Sequence, residues 1–324
     1  MNIVASQGRT VGVRRGFLGT VPMPVRLCAA LGFVVALAGC QDPADQSIRL
    51  GDRLLAVGDT DAAIAEYKLA QRQRGDAPEI VLRLGHAYAS RGDVDEAQEY
   101  YRLLIEDDDR YRYQVAADLI SLALDSRARG ASENMTRSVE PLLEWGIGYV
   151  PVDLLLSLAR HYARDGDHSR ALSLYLAVLS EDEAADPVVL YETGRAYAEV
   201  GGCDQALPYF KTYIEQANRR TDEYDAARFH YGNCLFVSAD EDRASGRPAA
   251  AIEKLNEMVE LGVPRTLMSN AHFLRGDMYL SIGDSQAALG AYQRVLDLNP
   301  SRTGAMVREA EQRIRQIRFG FDND

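Results

Sequence analysis

Residues 273–300 read FLRGDMYLSIGDSQAALGAYQRVLDLNP, and this stretch decides the fold. Two apolar segments lie on either side of Gly283 and Asp284. The first has the small residue Gly276 and the second has Ala288 among their apolar side chains. This order predicts two helices joined by a tight turn, with small residues where the two backbones approach each other. A single helical hairpin cannot bury its apolar face alone, so we expect further copies to stack on it.

The first copies lie near the start of the folded region. Gly85 follows Gly51 by 34 residues, and a Gly-Asp pair comes seven residues after each of these glycines. The glycine of such a pair can end the first helix in a left-handed conformation, and the aspartate can cap the second helix. Further copies contain Ala159 and Gly194 at the small position. The sequence therefore predicts an array of repeats.

This spacing of glycine, tyrosine, alanine and proline resembles the tetratricopeptide repeat, and the resemblance extends over residues 48–300. It implies an all-α fold, a right-handed α-solenoid of about seven helical hairpins. After Pro300, the amphipathic stretch 302–318 is expected to form a helix that caps the exposed end of the stack.

Two units depart from the repeat pattern. The third contains Pro141, whose ring is expected to break a helix or start a new one, and this irregularity is either a partner-specific feature or sequence drift. The sixth carries seven extra residues between Gly232 and Gly246, including the acidic residues 240–242. We expect this insertion to extend either the first helix or the turn.

The N-terminal region predicts export. Residues 27–39 form an apolar run that is too short to span a bilayer and is preceded by Arg26, as in a signal peptide. The sequence Leu37-Ala38-Gly39-Cys40 that ends this run resembles the lipobox of bacterial lipoproteins. The resemblance implies an acylated Cys40, whereas the alternatives are an ordinary secretory signal with a chance cysteine and an uncleaved anchor.

The predicted organisation follows from this export signal. Residues 1–39 are a lipoprotein signal peptide with Met23 as the expected true start, 40–46 a linker to the lipid, 47–318 the solenoid and 319–324 a tail. A twin-arginine pair precedes the apolar run without adjoining it, so folded export is a minor alternative. Because Gln41 follows Cys40 and the aspartate that retains some lipoproteins in the inner membrane is absent there, we expect an outer-membrane location facing the periplasm.

Composition excludes one class of partner. Residues 1–39 contain four arginines and no acid, so their removal changes the formal net charge from -12 to -16. No basic stripe remains that could neutralise phosphates, and we therefore exclude nucleic acid as a partner.

Two cysteines remain after Cys40 in the mature chain. Cys203 and Cys234 would both lie in an oxidising compartment, where a disulfide can persist. The sequence leaves open whether they form this bond or stay as two separately buried thiols.

The sequence offers no catalytic or metal-binding pattern. Its five histidines stand in separate segments, and neither a His-Glu-x-x-His nor a Cys-x-x-Cys pattern occurs. A phosphate-binding glycine loop and a nucleophile elbow are also missing from the sequence. We therefore expect no enzyme activity, no metal and no cofactor.

The resemblance implies a binding groove lined by the first helix of each hairpin. Transferred to this sequence, the groove-facing positions in the middle of the array and slightly beyond it are Arg160, Arg164, Tyr191, Arg195, Phe229, Asn233, Phe236 and Phe273. Arginines beside aromatic residues favour an extended or helical peptide with acidic character. The alternative is that several of these side chains are buried between helices or merely solvated.

These features predict a lipid-anchored, periplasm-facing scaffold that mediates protein–protein interactions in cell-envelope assembly, such as outer-membrane protein, pilus or secretin assembly. The alternative is a component of exopolysaccharide export that binds polysaccharide or its export machinery through the same groove. A resemblance at the level of the fold does not choose between these functions.

Overall fold

A computed structural model describes residues 42–181 and 186–320. These ranges contain fifteen α-helices, two short 3-10 helices (Asp109–Tyr111 and Arg265–Leu267) and no strand. The α-helices are α1 (Pro43–Ala56), α2 (Thr60–Arg74), α3 (Pro78–Arg91), α4 (Val94–Asp107), α5 (Arg112–Ala128), α6 (Ser132–Glu144), α7 (Val152–Arg164), α8 (His168–Glu181), α9 (Val188–Glu199), α10 (Cys203–Gln216), α11 (Asp222–Ala244), α12 (Pro248–Leu261), α13 (Met268–Ser281), α14 (Ser285–Leu298) and α15 (Ala305–Phe319).

Consecutive helices pair into seven hairpins, from α1 with α2 to α13 with α14, and each hairpin packs on the next. We call them hairpins 1 to 7. The final helix, α15, packs on α14 through Val307, Ala310 and Ile314. The predicted all-α solenoid of helical hairpins is therefore confirmed.

The small residues of the first helices allow the close helix approach. An added Cβ at Gly276 would lie 2.6 Å from Cε1 of Tyr292 on the second helix, and Gly51 faces the ring of Tyr67 in the same way. The tyrosine follows the small residue by sixteen positions in both hairpins. A large residue would have to displace a fully buried ring, so a small residue is needed here.

The turns follow the Gly-Asp pattern with one difference. Gly58 and Gly283 both adopt a φ of 83°, a region that favours glycine. The Asp284 carboxylate caps α14 by accepting the N–H of Ala287 at 3.0 Å. Asp93, by contrast, makes no such cap, because its carboxylate binds Arg91 instead.

The predicted linker is wrong from Pro43 onward. The first helix begins there, within the stretch 40–46, and Asp42 caps it by accepting the N–H of Ala44 at 2.9 Å. Ala44 is fully buried and belongs to the core. Proline is well suited to the first position of a helix, where its missing N–H has no partner to lose.

Pro141 does not break its helix. It lies inside α6, where it leaves the carbonyl oxygen of Arg137 without the usual intrahelical donor. The side-chain amide of Gln98 on α4 donates to that oxygen. A neighbouring hairpin therefore compensates for the proline.

The insertion in the sixth unit extends the first helix and leaves the turn unchanged. In every hairpin the second helix starts nine residues after one small residue of the first helix, and in hairpin 6 that residue is Ala239. The expected small residue, Gly232, lies two turns earlier, where an added Cβ would lie 2.0 Å from the carbonyl oxygen of Val263. The sequence had therefore placed hairpin 6 seven residues out of register.

Cys203 and Cys234 form a disulfide that joins α10 to α11. Beside it, Nζ of Lys254 on α12 lies 2.8 Å from a carboxylate oxygen of Asp204 and 2.8 Å from one of Asp242. The Asp242 side chain is only 2% exposed, and hydrogen bonds from Lys254 and Arg247 lower its pKa against the opposing effect of burial. Three helices are thus held by one covalent bond and one ionic cluster, of which the Asp242 side chain is the buried member.

Candidate functional site

The first helices of the hairpins adjoin one another, and we call the surface that they present the first-helix wall. Ion pairs connect successive members of this wall: Arg83 with Asp52, His86 with Asp118, Arg127 with Asp153, and Arg160 with Glu192. These pairs link α1 to α3, α3 to α5, α5 to α7 and α7 to α9. The wall is therefore continuous from hairpin 1 to hairpin 5.

Clefts open in the N-terminal part of the wall. A cleft of about 670 Å³ lies between α1, α2 and α3, and a second of about 350 Å³ lies between α1, α3 and α5. Asp52 and His86 line both clefts. This part of the wall lies outside the groove predicted from the sequence.

His86 is held in place by a buried carboxylate. Its Nδ1 lies 3.2 Å from Oδ2 of Asp118, which also accepts the hydroxyl of Tyr101 at 2.8 Å. The hydrogen bond to Asp118 raises the pKa of His86. Burial alone would raise the pKa of Asp118, but the hydrogen bonds from His86 and Tyr101 hold it below its ordinary value.

The predicted groove arginines fall into two groups. Nε of Arg160 lies 2.8 Å and 3.1 Å from the two carboxylate oxygens of Glu192, so this arginine is already paired. Arg164 is exposed and Arg195 is half-buried. Neither of these two makes a hydrogen bond or ion pair with another residue in the described ranges.

Most of the predicted groove aromatics contribute to the core instead. Tyr191 is only 7% exposed, and its ring centroid lies 5.6 Å from that of Tyr213. Phe236 is partly buried against the core, and Phe273 makes an edge contact with Tyr292. Helix-to-helix packing takes up the ring of Tyr191, whereas Phe236 and Phe273 stay partly exposed, so a groove lined by these rings stays a prediction.

Phe229 and Asn233 remain exposed, with Phe229 at 50%. They were placed in the groove from the register of Gly232, which the structure corrects to Ala239. In the corrected register, both residues lie in the N-terminal extension of α11. Sixteen-residue spacing to Leu255, which is fully buried, is the sequence signal that could have identified Ala239.

A further cleft of about 650 Å³ lies between α6, α7 and α8. The Arg170 guanidinium stacks 4.1 Å from the ring centroid of Tyr162, whose hydroxyl donates to Glu140. Leu143 and Leu174 provide apolar lining. The groove predicted from the sequence includes only first helices. It therefore does not include this cleft, which is lined mainly by the second helices α6 and α8.

Metal sites and membrane-spanning helices are the two remaining kinds of candidate feature in the part of the chain that the structure describes. There, no group of three or more histidine, cysteine or acidic side chains is arranged to hold a metal ion. No helix of these ranges has the length and apolar character needed to cross a bilayer. Cys40 lies outside the described residues.

Comparison with protein families gives one consistent result. A tetratricopeptide repeat model matches residues 48–112, 191–262 and 236–303. A second tetratricopeptide repeat model matches residues 154–185. No curated protein sequence matches the chain.

Among solved structures, the C-terminal part of a repeat-containing protein from Cytophaga hutchinsonii is 16% identical to this chain, with a TM-score of 0.37. The match covers 81% of this chain and 98% of that protein's chain. The P58(IPK) repeat domain is 15% identical, with coverages of 85% and 98% and a TM-score of 0.33. YrrB, described as having an unusual peptide-binding site, is 15% identical, with coverages of 76% and 97% and a TM-score of 0.33.

Proposed function

Because the chain belongs to the tetratricopeptide repeat family, whose members serve as scaffolds for protein–protein interaction, we propose that it is a lipid-anchored adaptor of the cell envelope. It binds a segment of a partner protein on the first-helix wall and thereby holds that partner at the membrane. Its role is in the assembly of an envelope component, with the outer membrane as its location.

The observation that carries this proposal is the open surface of the wall. One cleft lies between α1, α2 and α3 and a second between α1, α3 and α5. Further along the wall, Arg164 and Arg195 have no ionic partner within the described ranges. Cationic side chains that stay solvated in an acidic protein are free to meet a charged ligand. Such groups on a continuous helical surface are suited to a peptide.

The lipid anchor rests on the lipobox resemblance of residues 37–40. Because α1 begins at Pro43 and Asp42 caps it, only Gln41 separates Cys40 from the capping residue. An extended chain of so few residues reaches on the order of 10 Å at most. An acylated Cys40 would therefore hold hairpin 1 close to the bilayer.

Protein binding is favoured over polysaccharide binding. Sugar recognition needs aromatic faces that are open to the ligand, and Tyr191, the central aromatic of the predicted groove, is buried. Phe229 is the one predicted groove aromatic that is exposed, and a single open ring provides no stack of aromatic faces, so we propose only the protein adaptor.

The test is chemical cross-linking of the full-length protein in native membranes, followed by identification of the captured proteins. We expect a defined set of envelope proteins, which an Arg164→Glu, Arg195→Glu variant loses. Arg102→Glu is the matched control, since Arg102 is exposed on α4, away from the wall. Cys40→Ser should release the protein from the membrane fraction, and failure to capture any protein would contradict the adaptor function.

A further inference from the structure

Four hairpins carry a tyrosine sixteen residues after their small residue: Tyr67, Tyr101, Tyr175 and Tyr292. Three of them use the hydroxyl in the same way, as donor to a carboxylate on the first-helix wall. Tyr67 donates to Asp52 at 2.8 Å, Tyr101 to Asp118 at 2.8 Å and Tyr292 to Asp277 at 2.6 Å. A buried ring with its hydroxyl on a carboxylate is therefore the normal arrangement in this protein.

Tyr175 in hairpin 4 is the exception. Its side chain is only 2% exposed, yet its hydroxyl makes no hydrogen bond with another described residue. The oxygen is not among the fully enclosed polar atoms that lack a partner, so it still reaches solvent. The position that holds Asp52 in hairpin 1 and Asp277 in hairpin 7, directly after the small residue, holds Arg160 here.

Charged side chains of both signs act on this hydroxyl. Burial raises the pKa of Tyr175 to about 12, with a contribution from Glu192, whereas Arg160, Arg195 and Arg164 act in the opposite direction. Glu192 is the acid that acts on this hydroxyl, and Arg160 already binds both of its carboxylate oxygens. In hairpins 1 and 2, the residues directly after the small residues, Asp52 and His86, line one cleft together with Tyr67. The same positions of hairpins 4 and 5 hold Arg160 and Arg195, so the hydroxyl of Tyr175 lies beside arginines where its counterparts face an aspartate.

We propose that Tyr175, Arg164 and Arg195 form a subsite for a side-chain carboxylate of the bound protein segment. The carboxylate takes the place that Asp52 and Asp277 occupy in hairpins 1 and 7. It accepts the hydroxyl of Tyr175 and ionic hydrogen bonds from the two unpaired arginines. This inference rests on the proposed function and specifies the chemistry of the partner: an aspartate or glutamate.

The commitment to a carboxylate follows from the other hairpins. Their tyrosines all donate to a carboxylate, so the geometry around the ring is already suited to that group. Arginine adds charge-assisted hydrogen bonds, which are stronger than neutral ones. An acidic side chain of a protein meets both requirements without further groups.

The test uses two synthetic peptides, acetylated and amidated so that their ends carry no charge. One alternates glycine with glutamate over seven residues, and the other has glutamine in place of glutamate. The protein, from residue 42 to the C-terminus, is labelled at the Cζ carbon of tyrosine, and binding is followed by NMR. Tyr175→Phe identifies the Tyr175 signal, and Tyr292, whose hydroxyl is already on Asp277, is the internal reference.

We expect the glutamate peptide to shift the Tyr175 signal and leave that of Tyr292 unchanged. A hydrogen bond to a charged group corresponds to a change of roughly 10-fold in affinity or more, so Tyr175→Phe and Arg195→Gln should each weaken binding by about this factor. Arg102→Gln should bind normally. The glutamine peptide should bind at least about 10-fold more weakly.

Equal binding of the two peptides, an unchanged affinity of Tyr175→Phe, or no binding of either peptide would each overturn the subsite. None of these peptide results tests the adaptor function, which the membrane cross-linking tests separately. If the cross-linking captures partner proteins while the glutamate and glutamine peptides bind with equal affinity, the adaptor function is supported and the subsite is wrong. If no protein is captured, the adaptor function itself is wrong.

Discussion

At the residue scale, the hydroxyl of Tyr292 provides the first prediction. It donates to Asp277 at 2.6 Å from a ring that is fully buried. Tyr292→Phe removes this bond and leaves the partly exposed carboxylate with only a distant contact to Arg313, at 3.9 Å. We expect the free energy of unfolding in urea to fall by about 1 kcal/mol.

Tyr175→Phe is the matched control for that measurement. It removes the same hydroxyl from an equally buried ring, but no hydrogen bond to another described residue is lost. Its unfolding free energy should stay within about 0.5 kcal/mol of the wild type. Equal losses in the two variants would show that the Asp277 contact does not stabilise the fold.

His272 provides a pH-dependent prediction. It is 6% exposed, and burial lowers its pKa from 6.5 to about 4, with Arg275 and Arg294 adding to the effect. Because the folded-state pKa is depressed, the stability that neutral His272 contributes is fully present above pH 6.5. It is lost as the pH falls from 6.5 towards 4, and the total is of the order of 3 kcal/mol.

We expect His272→Gln to reduce this loss, since glutamine can still accept the hydrogen bond of Arg275 and carries no titrating proton. The measurement is urea unfolding at pH 7 and pH 4.5. His168→Gln, at the start of α8, should show the same loss as the wild type. If the loss in His272→Gln equals that of the wild type, protonation of this histidine is not its cause.

At the element scale, substitutions of Gly232 and Gly290 distinguish the effect of close packing on stability from the effect of helix propensity. Both lie inside helices, but an added Cβ at Gly232 would lie 2.0 Å from the backbone carbonyl oxygen of Val263, whereas nothing lies within 4 Å of one at Gly290. Gly232→Ala should lower the unfolding free energy by about 1 to 3 kcal/mol. Gly290→Ala should raise it by roughly 0.5 to 1 kcal/mol.

Thermal and urea unfolding of the two variants beside the wild type would measure both changes. A Gly232→Ala protein as stable as Gly290→Ala would show that α11 does not need the close approach to the loop before α13. Both variants replace a glycine with alanine inside a helix, so helix propensity cannot account for changes of opposite sign in their unfolding free energies.

Helix pairing could be predicted from the sequence, because small residues and turn glycines act locally. Gly276 and Gly283 indicate a helical hairpin without any information about the adjacent hairpins. The register of hairpin 6 could not be read from Gly232 alone, since a glycine is equally suited to contact a loop or a helix. The sixteen-residue spacing from Ala239 to Leu255 is the sequence signal for the correct register, and the structure adds the contact of Gly232 with Val263 that explains the earlier glycine.

The groove was predicted less well than the helices. Arg164 and Arg195 belong to α7 and α9, and their role in a groove stays a prediction. Tyr191 packs inside, because an aromatic ring gains more from burial than from solvent exposure. The role of Tyr175 depends on a contrast between hairpins. It becomes visible only when the partners of Tyr67 and Tyr292 are known.

At the scale of the folded region from residue 42 onward, the core consists of three clusters of buried side chains. The first extends from Ala44 to Ala196, the second from Tyr191 to Met278 and the third from Ala288 to Ile314. Since each hairpin contacts mainly its neighbours, stability in such an array is close to a sum of local terms. A lesion at one end should therefore remain near that end.

Removal of α15 tests this local behaviour. A chain that ends at residue 304 leaves Val295 and Leu296 of α14 without Val307 and Ile314, which cover them in the third cluster. We expect amide hydrogen exchange to become faster in residues 268–298 and to stay unchanged in residues 43–181. A chain that ends at residue 320 retains α15 and is the control.

The faster exchange should stop at hairpin 6. There the disulfide between Cys203 and Cys234 fixes α11 to α10, and Lys254 connects α12 to both through Asp204 and Asp242. The Asp242 carboxylate in this cluster is buried, and opening the cluster is costly because that carboxylate would lose its cationic partner. Exchange that accelerates equally in all hairpins would instead mean that the fifteen helices unfold as one unit, and that the contacts between hairpins outweigh the stability of each hairpin alone.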